Sequence, residues 1–470
     1  MSRPAFPILQ NEAASIDVEN VSPSAQAILD ATETARRYYI QTYGCQMNFY
    51  DSELVGSILL KLGYTPVDTP DEADLILLNT CAVRDHAEQR VFGRVGELKR
   101  LKRRNPEMIL GVLGCMSQRI GDDILEKAPH VDLVVGPDGY QRLPEVLARI
   151  ETGEGQQRAL DLNNVEDYSD VAEVRQPGGL RAWLAVQRGC NYACTYCIVP
   201  YVRGRERYRP IADVVKECER LVRTGSKEVT LIGQTVNAYR DGRDRFDVLL
   251  RACNEVAGLD RIRYTTSHPL KMRTEIFEAM AECDKVVEFL HLPFQSGSDR
   301  ILQHMRRGYT ADEYKKKIRK ARSVVPGLAV ATDVIVGYPT ETEDEFKETL
   351  DVVRELEFDM VYPFKFSVRP GTPAAEFEDD IAEEVKQGRL LRLIEVSKEC
   401  ASRCNEAFIG TTQEVLVEGR TERDPRLTGR TRTNKPVHFE GPDEMLNELV
   451  QVKITDSGAH SLMGDVIRDA

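Results

Sequence analysis

The sequence predicts an α/β chain of three folded units. Three patterns carry that prediction: two successive series of alternating strand and helix periods, a stretch with neither period between them, and strict two-residue alternation after Gly410. The first series reads as strand Tyr38–Thr42 and a helix from Ser52, strand Leu75–Leu78 and a helix from about Asp85, strand Met108–Leu113 and a helix from about Asp122, then strand Val131–Val135 and a helix from about Leu143. It predicts an N-terminal parallel-sheet α/β domain over 36–155. The second series, over 180–408, begins at Trp183 and places strands near Val229–Ile232, Ile262–Thr266, Val286–Leu292, Val330–Val336 and Val361–Phe366. Six strands with helices between them suit a central partial (β/α)6 barrel better than a closed eight-fold one. A long helix from about Ala382 to Phe408 ends it. Residues 409–470, with Glu414–Glu418 and Leu449–Ile454 alternating, predict a small antiparallel β-barrel. Residues 156–179 read as a linker. Residues 1–35 hold one Arg against five acidic residues and read as a mobile acidic tail.

The 63 basic residues against 76 acidic give a net charge of −13, which argues against a generally basic nucleic-acid coat but leaves room for a local basic path. No apolar run approaches the ~18 residues of a membrane span, and Met1-Ser2-Arg3-Pro4 opens no secretory leader. A soluble, cytoplasmic protein without a membrane partner is the expectation. The 11 cysteines are an odd set for a reducing compartment to pair, so their spacing carries the information.

Cys190, Cys194 and Cys197 form a C-x3-C-x2-C cluster directly after the first barrel strand. Structural zinc wants a fourth ligand, and no Cys or His follows within the next ten residues. Three thiolates suit an iron-sulfur cubane instead, leaving one iron open to an external ligand. Cys45, Cys81 and Cys115 each end a predicted strand of the first domain. Strand ends of one parallel sheet share an edge, so three thiolates distant in sequence meet there and predict a second cluster; isolated core cysteines are the plainer alternative. Cys218, Cys253, Cys283, Cys400 and Cys404 fall within helical patterns and read as core residues.

The C-x3-C-x2-C loop resembles that of the radical S-adenosylmethionine superfamily. With TYGCQMN around Cys45 and QRGCNYACTYCIVPYVRGRER around the second trio, the chain from about Arg37 onward is similar to the methylthiotransferases. These join a domain with three dispersed cysteines, a radical SAM core and a C-terminal TRAM barrel. Gln46 and Met47 resemble the branch acting on N6-dimethylallyladenosine beside the anticodon, whereas enzymes for threonylcarbamoyladenosine or a ribosomal-protein side chain usually carry a Lys there. The resemblance implies two 4Fe-4S clusters held by Cys190, Cys194 and Cys197 and by Cys45, Cys81 and Cys115. It also implies one S-adenosylmethionine as methyl donor, a second as radical source, an external electron donor, a tRNA anticodon stem-loop as partner and a monomer as working unit. Tyr208, where Ser is common, and Thr235, where Asn is usual, depart from the pattern without removing a cysteine.

Barrel active sites are built at strand ends, which makes Gln234, Asn237, Ser267, His268, Gln295, Ser296 and Asp333 candidates for lining the cosubstrate and adenine pocket. Structural hydrogen bonding is the alternative for each, and His268 before Pro269 also suits a turn. No GxGxxG cradle is present. For RNA, three basic stretches stand out: Lys99–Arg104, Arg203–Arg209, and 418–435, where Arg420, Arg423, Arg426, Arg430, Arg432 and Lys435 oppose Glu418, Glu422 and Asp424. Tyr201, Tyr208 and Phe439 are candidates for base stacking. A non-catalytic RNA-binding iron-sulfur sensor is the alternative from a different class.

Overall fold

The computed structural model describes residues 36–82, 85–162, 179–421 and 424–467. The acidic stretch 1–35, most of the expected linker, Glu422 and Arg423 lie outside the described residues. Strands β1 (Arg37–Thr42), β2 (Thr65–Pro66), β3 (Leu75–Thr80), β4 (Ile109–Gly114), β5 (Leu133–Val135) and β6 (Gln157–Ala159) form one sheet in the order β2-β1-β3-β4-β5-β6. Every neighbouring pair is parallel. The central β3 and β4 are buried at every position, as strands covered on both faces must be.

Three boundaries differ from the sequence reading. β6 lies beyond the expected domain end at 155: Gly136 N donates to Ala159 O and Gln157 N to Asp132 O, and so short an edge strand shows no periodicity. The helix expected from Ser52 begins at Gln46, because Met47, Asn48, Tyr50 and Asp51 are all buried and their mixed polarity hides the helical period. The helix expected from Asp122 begins at Cys115, with non-helical geometry at Ile120 interrupting the pattern.

The barrel comprises β7 (Arg181–Ala185), β8 (Glu228–Ile232), β9 (Arg261–Thr265), β10 (Phe289–His291), β11 (Ala329–Val336) and β12 (Met360–Lys365). They form two parallel three-stranded sheets, β9-β8-β7 and β10-β11-β12, joined by a bridge between Ile262 and Val286. The open edge at β7 does not face water. Trp183, Ala185 and Ile232 pack into the N-terminal core with Tyr38, Met47 and Leu54, and Trp183 lies 5.5 Å from the Phe49 ring. The N-terminal core therefore extends onto the face of the barrel's first strands.

On the barrel helix Glu343–Leu356, Thr342 and Glu345 cap each other reciprocally, and Arg300 donates to both Glu345 carboxylate oxygens at 2.7 and 2.6 Å. Burial pushes this carboxyl up, but the bonds from Arg300, Thr342 and Ser298 outweigh it and hold the pKa at about 2. A depressed carboxyl stabilises the fold above its ordinary value of 4.5, and that contribution is lost as pH falls from there towards 2. Glu345→Gln is expected to flatten the acid limb of unfolding midpoint against pH over this window; an unchanged limb would contradict the assignment.

The C-terminal barrel closes in the order β13 (Thr412–Thr421), β14 (Asp424–Thr431), β15 (Pro436–Phe439), β17 (Leu462–Val466), β16 (Leu449–Ser457). Its pairs are antiparallel except β15 with β17, which run parallel where the barrel shuts. It docks at the starting ends of the central strands. Buried Arg261 donates to Glu414 Oε1 at 2.7 Å and to Arg430 O at 2.9 Å, and Arg263 donates to the carbonyls of Arg432 and Thr431, both at 2.8 Å.

Candidate active site

Gly44 and Gly189 set two of the cysteine turns. Gly44 has φ +135°, and a Cβ there would lie 2.6 Å from Cys81 Cβ; Gly189 has φ +75°, and a Cβ there would lie 2.0 Å from Arg205 O. Only glycine lets the chain pass so close, and the first of these close approaches is what brings Cys45 beside Cys81. Cys45 is the N-cap residue of the helix Gln46–Lys61, and Cys115 is the first residue of the helix Cys115–Lys127. Both sulfurs sit at the positive end of a helix, which favours thiolate. A hydrogen bond with Cys81 lowers the Cys45 thiol to about 6, against burial and with help from Arg203. Burial raises Cys115, and Arg203 opposes the rise. Asn48 ties the site together: it accepts from Cys45 Sγ at 3.3 Å and donates to Thr80 O at 2.9 Å.

The second trio hangs on the loop after β7. Gly189 N donates to Gln234 Oε1 at 2.7 Å, Cys190 Sγ lies 3.4 Å from Thr235 Oγ1, and Arg307 Nη1 donates to Cys194 Sγ at 3.4 Å. Burial drives Cys197 up to about 12, and neighbouring Cys194 and Cys190 add to the rise. Burial likewise raises Cys190, with a bond from Thr235 opposing the rise. Among the described residues no three His, Cys, Asp or Glu side chains converge on a site for a single metal ion. The all-sulfur donor sets, each three strong, fit iron-sulfur cubanes, whose ligands are spread around four irons.

The two trios are neighbours. Ala82, next to Cys81, and Ile198, next to Cys197, pack with Cys115 and Val202 in one buried cluster. From Ile198 the helix Val199–Arg203 runs to Arg203, whose Nε donates to Cys115 Sγ at 3.1 Å and whose Nη2 donates to Asp51 Oδ2 at 2.7 Å. Asp51 is fully buried and also receives Arg188 Nη2 at 2.9 Å.

The remaining candidates separate into two groups. Gln234 supports Gly189; Asn237 accepts from His268 N and donates to His268 O; Ser296 Oγ accepts from Ser298 N; Asp333 pairs with His291 Nε2 at 3.0 Å. These four hold loops in place. Gln295, at φ +73°, is fixed through backbone bonds with Asp333 and Ile335. Ser267 Oγ and His268 Nε2, by contrast, are buried without a hydrogen-bond partner, as are Thr266 Oγ1 and Tyr192 OH. His268 Nδ1 accepts from Leu270 N, as its place before Pro269 suggested, and its ring stacks on Tyr192 at 3.9 Å. Burial, with Arg307, Lys317 and Lys271, pushes its pKa to about 2, so the ring is neutral and Nε2 carries the proton.

Arg203–Arg209 is drawn inward, and much of the C-terminal stretch is engaged in ion pairs. Arg203 is buried, Arg207 pairs with Asp138 at 2.7 Å and Arg209 with Glu217 at 2.5 Å, all inside the protein. In the C-terminal barrel, Arg430 faces Glu418 at 3.4 Å, Arg432 pairs with Glu288 at 2.8 Å, Lys435 pairs with Asp359 at 2.7 Å, and Arg420 pairs with Asp443 at 2.6 Å. Of these acids, Glu288 and Asp359 arrive from the central domain, where a local count of charge does not see them. Phe439 is a core residue of that barrel, and Tyr208 OH is bonded to Glu206 at 2.5 Å. Lys99, Arg100, Arg103, Arg104 and Tyr201 are exposed.

Residues 37–136 match the family described as Uncharacterized protein family UPF0004, 184–353 the Radical SAM superfamily and 406–467 the TRAM domain. A tRNA-2-methylthio-N(6)-dimethylallyladenosine synthase of Clostridium novyi (strain NT) is 45% identical over 438 residues, covering 92% of this chain and 97% of its own. The synthase of the same name from Haemophilus influenzae (strain PittEE) is 43% identical, over 92% and 93% of the two chains. The chain belongs to the radical S-adenosylmethionine methylthiotransferases. As a member it works with S-adenosylmethionine and an iron-sulfur cluster. Among solved structures, the radical S-adenosylmethionine methyltransferase TsrM from Kitasatospora setae, with cobalamin and a [4Fe-4S] cluster bound, aligns at TM-score 0.57 and 15% identity, over 73% of this chain and 77% of its own. The cobalamin-dependent S-adenosylmethionine radical enzyme OxsB aligns at TM-score 0.52 and 13% identity, over 79% and 56%. These two likenesses are of fold alone. Among the described residues, no helix is long and apolar enough to cross a membrane.

Sequence reasoning passed over Arg203 and Arg307 as site residues. Arg203 lies in an Arg-rich run that reads as an RNA contact, and Arg307 carries no motif at all; only the fold brings it to Cys194.

Proposed function

We propose that this methylthiotransferase converts N6-dimethylallyladenosine beside the tRNA anticodon to its 2-methylthio derivative. Cys190, Cys194 and Cys197 hold one 4Fe-4S cluster, and Cys45, Cys81 and Cys115 the other. The observation that carries the reading is the packing of Ile198 against Cys115 and Ala82, which joins two three-thiol sites through one dry wall. When bound, the clusters supply reductive cleavage of the S-adenosylmethionine sulfonium on one side and a transferable sulfur on the other.

The chain's own groups position the reactants and keep them from water. The apolar wall of Ala82, Ile198 and Val202 shields the space between the trios. His268 presents a neutral N–H and Ser267 a hydroxyl, both buried and without protein partners, as donors for the cosubstrate or adenine. Gln234, Asn237, Gln295, Ser296 and Asp333 act behind them as supports for the loops. Arg307 fixes Cys194, with its other nitrogens on Tyr309 OH and Pro293 O. Lys99, Arg100, Arg103 and Arg104, exposed on one helix, are the phosphate contacts this reading favours. One chain supplies both trios, which supports a monomer, and all 11 cysteines are free thiols, which suits the cytoplasm. The electron for sulfonium cleavage comes from an external donor.

Anaerobically reconstituted enzyme, given S-adenosylmethionine, reductant and tRNA bearing N6-dimethylallyladenosine, is expected to yield the 2-methylthio nucleoside on digestion and mass spectrometry. Threonylcarbamoyladenosine tRNA is expected to emerge unchanged. Product on the second tRNA alone would overturn the substrate assignment.

A further inference from the structure

Arg203 belongs to the central barrel's chain segment but reaches into the N-terminal domain's cysteine site. It is 3% exposed. Its Nε donates to Cys115 Sγ at 3.1 Å and its Nη2 to Asp51 Oδ2 at 2.7 Å, while its Nη1 is buried with no hydrogen-bond partner. A guanidinium does not lose its proton, so Nη1 remains a donor whatever the pH. Buried donors of a charged group are seldom left unmade, and one that is unmade beside three thiols points to a partner that arrives with the ligand. The geometry of the group narrows that partner. Nε and the two terminal nitrogens lie in one plane; with Nε on a cysteine sulfur and Nη2 on a carboxylate, Nη1 takes an acceptor lying in the same plane.

We propose that Arg203 is a built-in donor to the auxiliary cluster: Nε bonds the Cys115 ligand sulfur, and Nη1 bonds an anionic sulfur of the cluster or the sulfur it carries for transfer. The inference rests on Cys45, Cys81 and Cys115 holding a cluster. Two consequences follow from the chemistry of such bonds. A cationic donor to cluster sulfur favours the more negative, reduced form and raises the reduction potential. It also lowers the cost of holding a sulfur anion on the open iron, which keeps that sulfur in place between turnovers. Asp51 sets the orientation, because its carboxylate fixes Nη2 and thereby the plane of the whole fork. Arg307 is the internal contrast. It donates to Cys194, yet its Nε and Nη2 are taken by Tyr309 OH and Pro293 O, and none of its nitrogens is orphaned.

The test uses the full chain with Cys190, Cys194 and Cys197 changed to Ala, reconstituted so that the auxiliary cluster is the only one, with arginine labelled with 15N in the guanidinium. Pulsed electron paramagnetic resonance of the reduced cluster is expected to show a 15N coupling that disappears in Arg203→Lys. Redox titration is expected to move the midpoint to more negative values in Arg203→Met, with Arg203→Lys between it and the parent. Should Arg203→Met fail to fold, the nitrogen signal in Arg203→Lys decides alone. A parent spectrum without 15N coupling, or a coupling that survives in Arg203→Lys, would overturn the proposal. A parent that binds no iron at all overturns the cluster assignment first, so the two failures are told apart by the iron count.

Discussion

Changing Cys45, Cys81 and Cys115 together to Ala is expected to leave an enzyme that retains about four of eight irons, still forms 5′-deoxyadenosine from S-adenosylmethionine, and makes no methylthio product. The expectation follows from how the sites are built. The C-x3-C-x2-C loop draws its supports from the central barrel: Gln234 under Gly189, Thr235 beside Cys190 and Arg307 on Cys194. None of these belongs to the N-terminal domain, so losing the dispersed trio leaves the first cluster's ligands in place. The transferred sulfur, by contrast, has no other trio to hold it. Iron and sulfide analysis, product chromatography and nucleoside mass spectrometry read the three quantities separately. Methylthio product from the triple variant would sink the division of labour, and loss of all the iron would mean that the two sites load as one.

Asp51→Asn is expected to lower stability by roughly 3–5 kcal/mol, the usual cost of removing one partner from a buried ionic cluster. Asp51 is 0% exposed and holds Arg203 and Arg188, themselves 4% and 11% exposed at the side chain. An amide of the same shape returns at most a neutral acceptor to two guanidiniums that cannot discharge. The chain's single tryptophan gives a local readout: Trp183 packs on Phe49, two residues from Asp51, at the seam of the two domains. Denaturant titration followed by its emission is expected to show the domain seam opening early. A change under about 1 kcal/mol would mean that the arginines find other acceptors, against the geometry seen.

Much of this site can be read before any fold is known. Cys190, Cys194 and Cys197 lie within eight residues of one another, so local chain geometry alone keeps them close. Cys45, Cys81 and Cys115 follow from slightly more, namely that each ends a strand of one parallel sheet, where side chains at one edge meet. The pairing of the basic segments could not be read from sequence, for the opposite reason. Arg261 and Arg263 seize the carbonyls of Arg430, Thr431 and Arg432, while Glu288 and Asp359 draw in Arg432 and Lys435. Those acids and arginines are more than seventy residues away, and no local count of charge anticipates them. Asp333 is a parallel case: it lies within its strand Ala329–Val336 and is paired with His291, a contact that sequence position does not show.

Residue chemistry and spacing alone indicate the three-unit order of the chain and six thiols suited to inorganic sulfur chemistry, because these depend on short-range covalent geometry and on strand periodicity, whereas the class of reaction comes from the resemblance to the methylthiotransferases. Packing decides the rest. That Ile198 touches Cys115, that Arg203 crosses from one domain to the other's sulfur, and that Arg432 and Lys435 pair with acids of the central barrel all require contacts between distant segments. Such contacts are chosen by burial and by pairing of charge within the whole fold, quantities that exist only once the chain has closed on itself.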